Sequence, residues 1–308
     1  MKKESHKIIT RKAIDIYCGT RHTQLTNAMN DNRMRSAVVK GSIDEDGKTF
    51  TRLLNWHFYP SNSTLKNQEQ VDCYIFSDIV TPTSERILTK RQNDFMRLVK
   101  QGPSYWLFKV FGRILHHIQD MSTPSHVFPI YHSSGKKSDP YEIYLVEESN
   151  RIFKKALEGS SNFYDAMSSE LTGDFLQLYH EAASRLLDHL KPENSHFSYL
   201  LNNSAVEGDT SLFWEAHNPD ENYKDSPCKI EGFGVFGKLS RSYGVSAPVE
   251  INGSICKVDE SVYLKLATDM VTMAIKDTMT ALVLFEELIA QEFEGHRFGL
   301  DDPDSYDD

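Results

Sequence analysis

Apolar residues recur at intervals of three and four along most of this chain, and that rhythm leaves few architectures open. From Ser5 onward, His6, Ile9, Ala13 and Ile16 fall on one helical stripe, with Ser5 as the expected N-cap. The segment from Ser104, a second cap, to about Asp120 carries Leu107, Phe111, Ile114 and Ile118, and Gly102-Pro103 separates it from the helix before. "SDPYE" at Ser138 to Glu142 reads as a helix start, with Asp139 capping, Pro140 in the first turn and Glu142 three residues after the cap. Leu171, Phe175, Leu178, Ala182 and Leu186 mark a further amphipathic helix that ends before Pro192. A long helical stretch runs from about Glu260 to Phe293. The exception is Lys229 to Val258, rich in glycine and β-branched residues, where Asn252-Gly253 stands between alternating apolar residues and predicts a hairpin. The expected fold class is all-α: a compact multi-helix single domain over residues 1–298 with a small β-hairpin excursion near 229–258. An acidic, disordered tail is expected over 299–308.

Charge and cysteine usage remove several function classes. Lys plus Arg number 34 against 44 Asp plus Glu, a formal charge of -10, which makes a poor generic binder of a nucleic-acid backbone. Bound divalent cations would reverse that field locally. Cys18, Cys73, Cys228 and Cys256 are scattered and form no CxxC pair, so unrelated thiols are expected rather than a zinc-thiolate site. The N-terminus, MKKESHKIITRKAIDIY, has basic residues but no apolar stretch behind them, so no secretory signal is read in the chain as given. That is compatible with a cytoplasmic protein, export by a signal-less route, or a processed secreted form. No run approaches the roughly 20 apolar residues that a membrane span needs.

The stretch "LHHIQDMSTPSH", Leu115 to His126, gathers three histidines and an aspartate. His116 and Asp120 are four apart and share a helix face, roughly opposite Leu107, Ile114 and Ile118. Gly112, one turn earlier, leaves room beside that face. His126 follows a proline turn and can fold back toward the helix end. Taken singly, the pair is a solvated i,i+4 contact, and His6 is a core histidine satisfied by hydrogen bonds. His57, however, lies among aromatics in "LNWHFYP", and a buried imidazole needs partners for both nitrogens, for which metals are common. The set, rather than any one residue, points to a metal.

"SHKIITRKAIDIY", "GSIDEDG", "LNWHFYP" and "LHHIQDMSTPSH", in that order, resemble the motifs of the zinc-dependent phospholipases C, whose superfamily includes the fungal single-strand-specific nucleases. The resemblance covers His6 to about Glu142, and its most specific piece is LHxxxDxxxPxH. It implies a compact all-α fold with three zinc ions in a cleft. By resemblance, Asp46, His57, His116 and Asp120 would hold one zinc. Asp120 would bridge to a second, completed by His6 and the N-terminal amine, and His126 and Glu142 would bind a third. Asp46 matches the family position five after Gly41, with Asp44 and Glu45 as alternatives. Imidazole and carboxylate suit zinc. Close cations lower the pKa of a shared water to about 7 and offset charge on a phosphodiester undergoing in-line attack. Asp46 is the expected catalytic group, orienting or deprotonating that water.

Two departures stand out. The family begins with a tryptophan whose amine and carbonyl bind metal, whereas this chain has Met1. The family also has a histidine where Ser138 stands, and His132 in "VFPIYHSSGKK" is the available substitute. His117 points elsewhere on its helix and reads either as packing or as a support behind the metal ligands. His217 reads as a loop or substrate-side histidine without an assigned role, and His22, His180, His189, His196 and His296 read as surface residues. The expected activity is hydrolysis of phosphodiester bonds of the phospholipase C type, on a phospholipid substrate with peripheral membrane contact. The alternatives are a single-strand-specific nuclease and a metal-binding helical protein without activity. Trp56, Phe58 and Tyr59 suit a lipid or a stacked base equally, or core packing. The HD-type phosphohydrolases need a His-Asp dipeptide and the gluzincins need HExxH; neither occurs.

Overall fold

A computed structural model describes residues 1–45, 57–59, 73–76, 79–128, 130, 132, 138–158, 163, 173–215, 234–245 and 247–292. These residues are mostly helical, with a small antiparallel sheet. Helix α1 covers Lys3–Thr20, α2 Gln24–Asn30, α3 Asn32–Asp44, α4 Ser84–Val99 and α5 Tyr105–Asp120. Then come α6 (Pro124–Val127), α7 (Pro140–Glu147), α8 (Ser149–Glu158), α9 (Phe175–His189) and α10 (Glu260–Glu292).

Most of the sequence-read caps hold. Ser104 accepts from the Leu107 N–H and Asp139 from Tyr141, and Asp174, which the sequence reading did not single out, accepts from Gln177. Gly102, at φ 101°, takes the left-handed conformation that separates α4 from α5. Ser5 is a correction. The first helix begins at Lys3 with Lys2 at the cap position, and Ser5 lies buried within the first turn. Leu171 lies outside the described residues.

A second correction concerns α5. The sequence reading gave it an apolar face opposite a polar one, but every residue from Ile114 to Asp120 is buried. The helix is central, with α3, α4, α9 and α10 around it. The last two turns of the helix, enclosed on all sides, have no solvated face on which an Asp–His pair could rest; exposure is confined to its earlier part, at Trp106.

The closest of these packings has a backbone cause. A Cβ built on Gly112 would lie 2.0 Å from the Val38 carbonyl oxygen and 2.9 Å from Gly41 Cα. A Cβ on Gly41 would lie 2.0 Å from the Lys109 carbonyl oxygen. The room that Gly112 leaves is thus filled by the α3 main chain, which brings Ser42 against His116. Elsewhere the core is aromatic: the ring centroid of Phe285 lies 4.5 Å from that of Phe111 and 5.1 Å from that of Phe95. The 33-residue α10 runs unbroken, about 50 Å long, alongside α1, α5, α8 and α9.

The Asn252-Gly253 hairpin is present, joining β7 (Val249–Ile251) to β8 (Ser254–Val258), with φ of 51° and 77° at the two turn residues. The β portion is larger than the sequence reading allowed. A second hairpin pairs β3 (Phe197–Leu201) with β4 (Ser204–Gly208) through Asn202-Asn203, both at positive φ, and β3 pairs with β8. The four strands run in the order β4-β3-β8-β7. Shorter antiparallel pairs join β1 (Cys73–Phe76) to β2 (Ile79–Pro82), and β5 (Trp214–Glu215) to β6 (Val235–Phe236). Cys18 and Cys256 are free thiols. Among the described residues no helix is long and apolar enough to cross a membrane. The 299–308 tail lies outside the described residues.

Replacing Gly112 by Ala forces two main chains apart and should cost about 3 kcal/mol or more. Gly253→Ala, at a turn with no atom near, should cost only about 1 kcal/mol for its positive φ. Equilibrium urea denaturation of the two variants should separate them in that order.

Candidate metal centre

Asp120 is the last residue of α5 and is fully buried. An isolated carboxylate cannot persist there without compensation, so what surrounds it determines its state. His116 presents Nε2 at 3.2 Å from Asp120 Oδ2, and His57 presents Nδ1 at 3.3 Å from the same oxygen. His6, from α1, presents Nε2 at 3.3 Å from Oδ1. His57 Nδ1 and His116 Nε2 stand only 2.8 Å apart. His6, His116 and Asp120 thus offer donor atoms all within 4.8 Å of one another.

A second group adjoins it. His126, from α6, and His132 each place Nε2 at 3.6 Å from Glu142 Oε1 on α7. His126, His132 and Glu142 meet the same mutual-distance condition. The α-amino nitrogen of Met1 lies between the groups, 2.9 Å from Asp120 Oδ1, 2.9 Å from His126 Nε2 and 2.8 Å from Glu142 Oε1. A positive charge at that point meets what two buried carboxylates require.

The outer nitrogens fix how these rings are turned. Each Nδ1–H has an oxygen acceptor: His6 on Gln119 Oε1 at 2.8 Å, His116 on Ser42 O at 2.8 Å, His126 on His57 O at 2.6 Å, and His132 on Ile130 O at 2.8 Å. The Gln119 amide is itself oriented. Its Nε2 donates to Thr10 at 3.0 Å and to Thr278 at 3.1 Å, and the Thr278 hydroxyl donates onward to Ala274 O. The Gln119 oxygen therefore faces His6. With Nδ1 protonated in all four, the Nε2 lone pairs point inward, the arrangement by which proteins prepare imidazole for a cation. Among the described residues, His6 Nε2, His57 Nε2 and Asp120 Oδ2 have no hydrogen-bond partner. Buried orphans among oriented lone pairs fit a bound metal ion better than a closed hydrogen-bond network.

The electrostatics agree. Burial would raise the Asp120 carboxyl, but His126, the amine and His116 hold it well below the ordinary range. Burial is likewise outweighed at Glu142 by the amine, His126 and His132. Burial lowers His126 to about 4 against the pull of Asp120. His6 falls through burial and the neighbouring His116, while at His132 the bond to Glu142 outweighs burial and raises it.

Six of the seven sequence-predicted metal ligands, His6, His57, His116, Asp120, His126 and Glu142, are gathered here. The seventh, Asp46, lies outside the described residues, as do Trp56, His217 and His296. Its two alternatives are occupied elsewhere: Asp44 pairs with Lys109 at 3.0 Å, and Glu45 with Arg91 at 2.7 Å. His132, the substitute expected for Ser138, stands 3.6 Å from Glu142 Oε1. Glu142 is buried among the histidines rather than closing a capping box. Phe58 is core, its ring 5.9 Å from that of His126, and Tyr59 meets His180 at 3.2 Å. His189, read as a surface residue, is half-buried beside Asp269. Gln119 and Ser42 escaped the sequence reading because nothing in an amide or a backbone carbonyl marks it as an imidazole's acceptor.

His117 and His126 both have folded values of about 4, below the ordinary 6.5. Between those limits the unfolded chain binds more protons. Stability of the metal-stripped protein should therefore fall as pH drops from about 6.5 to 4, by up to about 3 kcal/mol per residue. His132 opposes this, contributing stability below 6.5 that is lost as pH rises through its folded value. Urea midpoints at pH 7.5, 5.5 and 4 should decline in that order.

No family model, curated protein or solved structure matches the chain, so a functional reading rests on the residues themselves.

Proposed function

We propose that this chain is a zinc-dependent hydrolase of phosphodiester bonds, of the phospholipase C type. One observation carries the reading: four imidazoles, each fixed through Nδ1, turn Nε2 toward two buried carboxylates in adjoining groups. His6, His57, His116 and Asp120 would hold zinc at the first group, and His126, His132 and Glu142 at the second. When bound, zinc supplies an acidified water and positive charge against the non-bridging phosphoryl oxygens.

The chain's own groups supply the rest. Asp120 has both oxygens turned to different histidines, a disposition suited to spanning two ions. The Nδ1 tethers keep each ring in one orientation, so little reorganisation accompanies binding. Asp46 remains the candidate to orient the attacking water or accept its proton. The fold class of the phospholipases C and their nuclease relatives is compatible with the central buried α5 and the helices around it. A net charge of -10 favours a phospholipid over a polynucleotide as the phosphodiester.

Metal analysis of protein purified in zinc should give two or three ions per chain. His116→Ala and Asp120→Ala should each reduce turnover of a chromogenic phosphodiester by about 10³-fold or more with helicity retained by circular dichroism. Wild-type protein should release headgroup phosphate from phosphatidylcholine vesicles faster than it digests single-stranded DNA. Zero zinc would leave a helical protein without this activity, and the reverse preference would make it a nuclease.

A further inference from the structure

The first metal group is backed by a polar cluster that binds nothing in the proposed chemistry. Glu45, one residue beyond α3, is 6% exposed. Arg91 reaches its Oε1 through both Nε and Nη2 at 2.7 Å, and Arg113 Nε lies 3.5 Å from Oε2. His117 Nε2 is 3.4 Å from Oε1. Burial would raise the Glu45 carboxyl, but the His117 hydrogen bond and the Arg91 guanidinium hold it well below the usual carboxylate range.

His117 differs from the other histidines of the centre. Both its nitrogens have protein partners: Nε2 meets Glu45, and Nδ1 lies 2.9 Å from Ser84 Oγ. It has no lone pair left for a metal. Its ring instead stands edge-on to that of His57, centroids 4.8 Å apart. Ser84, the first residue of α4, holds the same segment a second way, its N–H donating to Phe58 O at 3.2 Å. On the other side Tyr59 N donates to His126 O at 2.9 Å, and His126 Nδ1 to His57 O at 2.6 Å. Residues 57–59 are thus fixed between α4 and α6 by backbone bonds, and the His57 ring lies against His117.

We infer that Glu45, His117 and Ser84 form a positioning relay: the carboxylate fixes His117, and His117 with Ser84 fixes His57 at the first metal group. Arg91 and Arg113 keep the carboxylate in place, so the relay ties the end of α3 to the start of α4 across α5. Among the described residues, the ring of His57 has no tether outside the metal group, unlike His6, His116, His126 and His132: its Nδ1 meets His116 Nε2 at 2.8 Å and Asp120 Oδ2 at 3.3 Å. Packing against an immobilised neighbour is what replaces that tether. The inference deepens the zinc reading, since it takes His57 to be a ligand.

The test is titration of metal-free full-length protein with Co²⁺, following its visible absorption, alongside thermal melts without metal. His117→Ala should weaken Co²⁺ binding about 10- to 100-fold and alter the visible bands. His117→Gln, whose amide can donate to Glu45 in place of Nε2–H, should restore most of the affinity. Ser84→Ala, a milder change that leaves the ring in place, should shift the bands in the same sense with a several-fold loss. Variants that melt earlier yet bind Co²⁺ with wild-type affinity and spectrum would overturn the relay and leave the zinc reading standing. Wild-type protein that gives no Co²⁺ spectrum would overturn both.

Discussion

Burying the Asp120 carboxylate is the constraint on which the centre depends. A charge taken out of water at the end of an enclosed helix is tolerable only if cations or oriented donors converge on it. That requirement accounts for contributions from distant parts of the chain: α1 brings His6, the segment after the first helices brings His57, and α6 brings His126. None of these pieces forms the centre alone. Convergence of this kind also relates fold to site, because the packing that encloses α5 also removes water from the carboxylate.

The two metal groups are supported differently. The first has a deep setting, with a tether to the α3 backbone, an amide fixed by two threonines, and a ring pressed against another ring. The second is built largely from a short turn and a helix start, with Phe58 as its apolar wall. His132, 13% exposed at its side chain, is the most accessible of the imidazoles assigned to the groups. A substrate would reach the second group with less disturbance of the protein than the first.

Much of this was legible in the sequence because it depends on local spacing. The i,i+4 relation of His116 and Asp120 survives any packing of the helix, and the cap at Asp139 and the Asn252-Gly253 turn are short-range chemistry. What escaped depends on neighbours. Burial of the C-terminal turns of α5 on every side could not be read from its own residues, since its polar end mimics a surface face. The β3–β4 hairpin carries alternating residues around Asn202-Asn203, but a pair of asparagines is a weaker turn signal than Asn-Gly. A support role for His117 was one of two readings its position allowed, but its partners were not legible, because Glu45 and Ser84 meet it from the ends of two other helices. Substitution of His132 for the position held by Ser138 was visible only as one option, because a loop histidine can reach many places.

The contact of Gly41 with Gly112 has a consequence for how such a centre could change. Because two main chains touch there, the spacing between Ser42 and His116 cannot be narrowed by exchanging side chains, and any side chain added at either glycine widens it at a cost in stability. A change in the donor set is easier at His126 and His132, which are not locked between two touching main chains. The molecule therefore divides into an anvil that is unable to adapt and a rim that can.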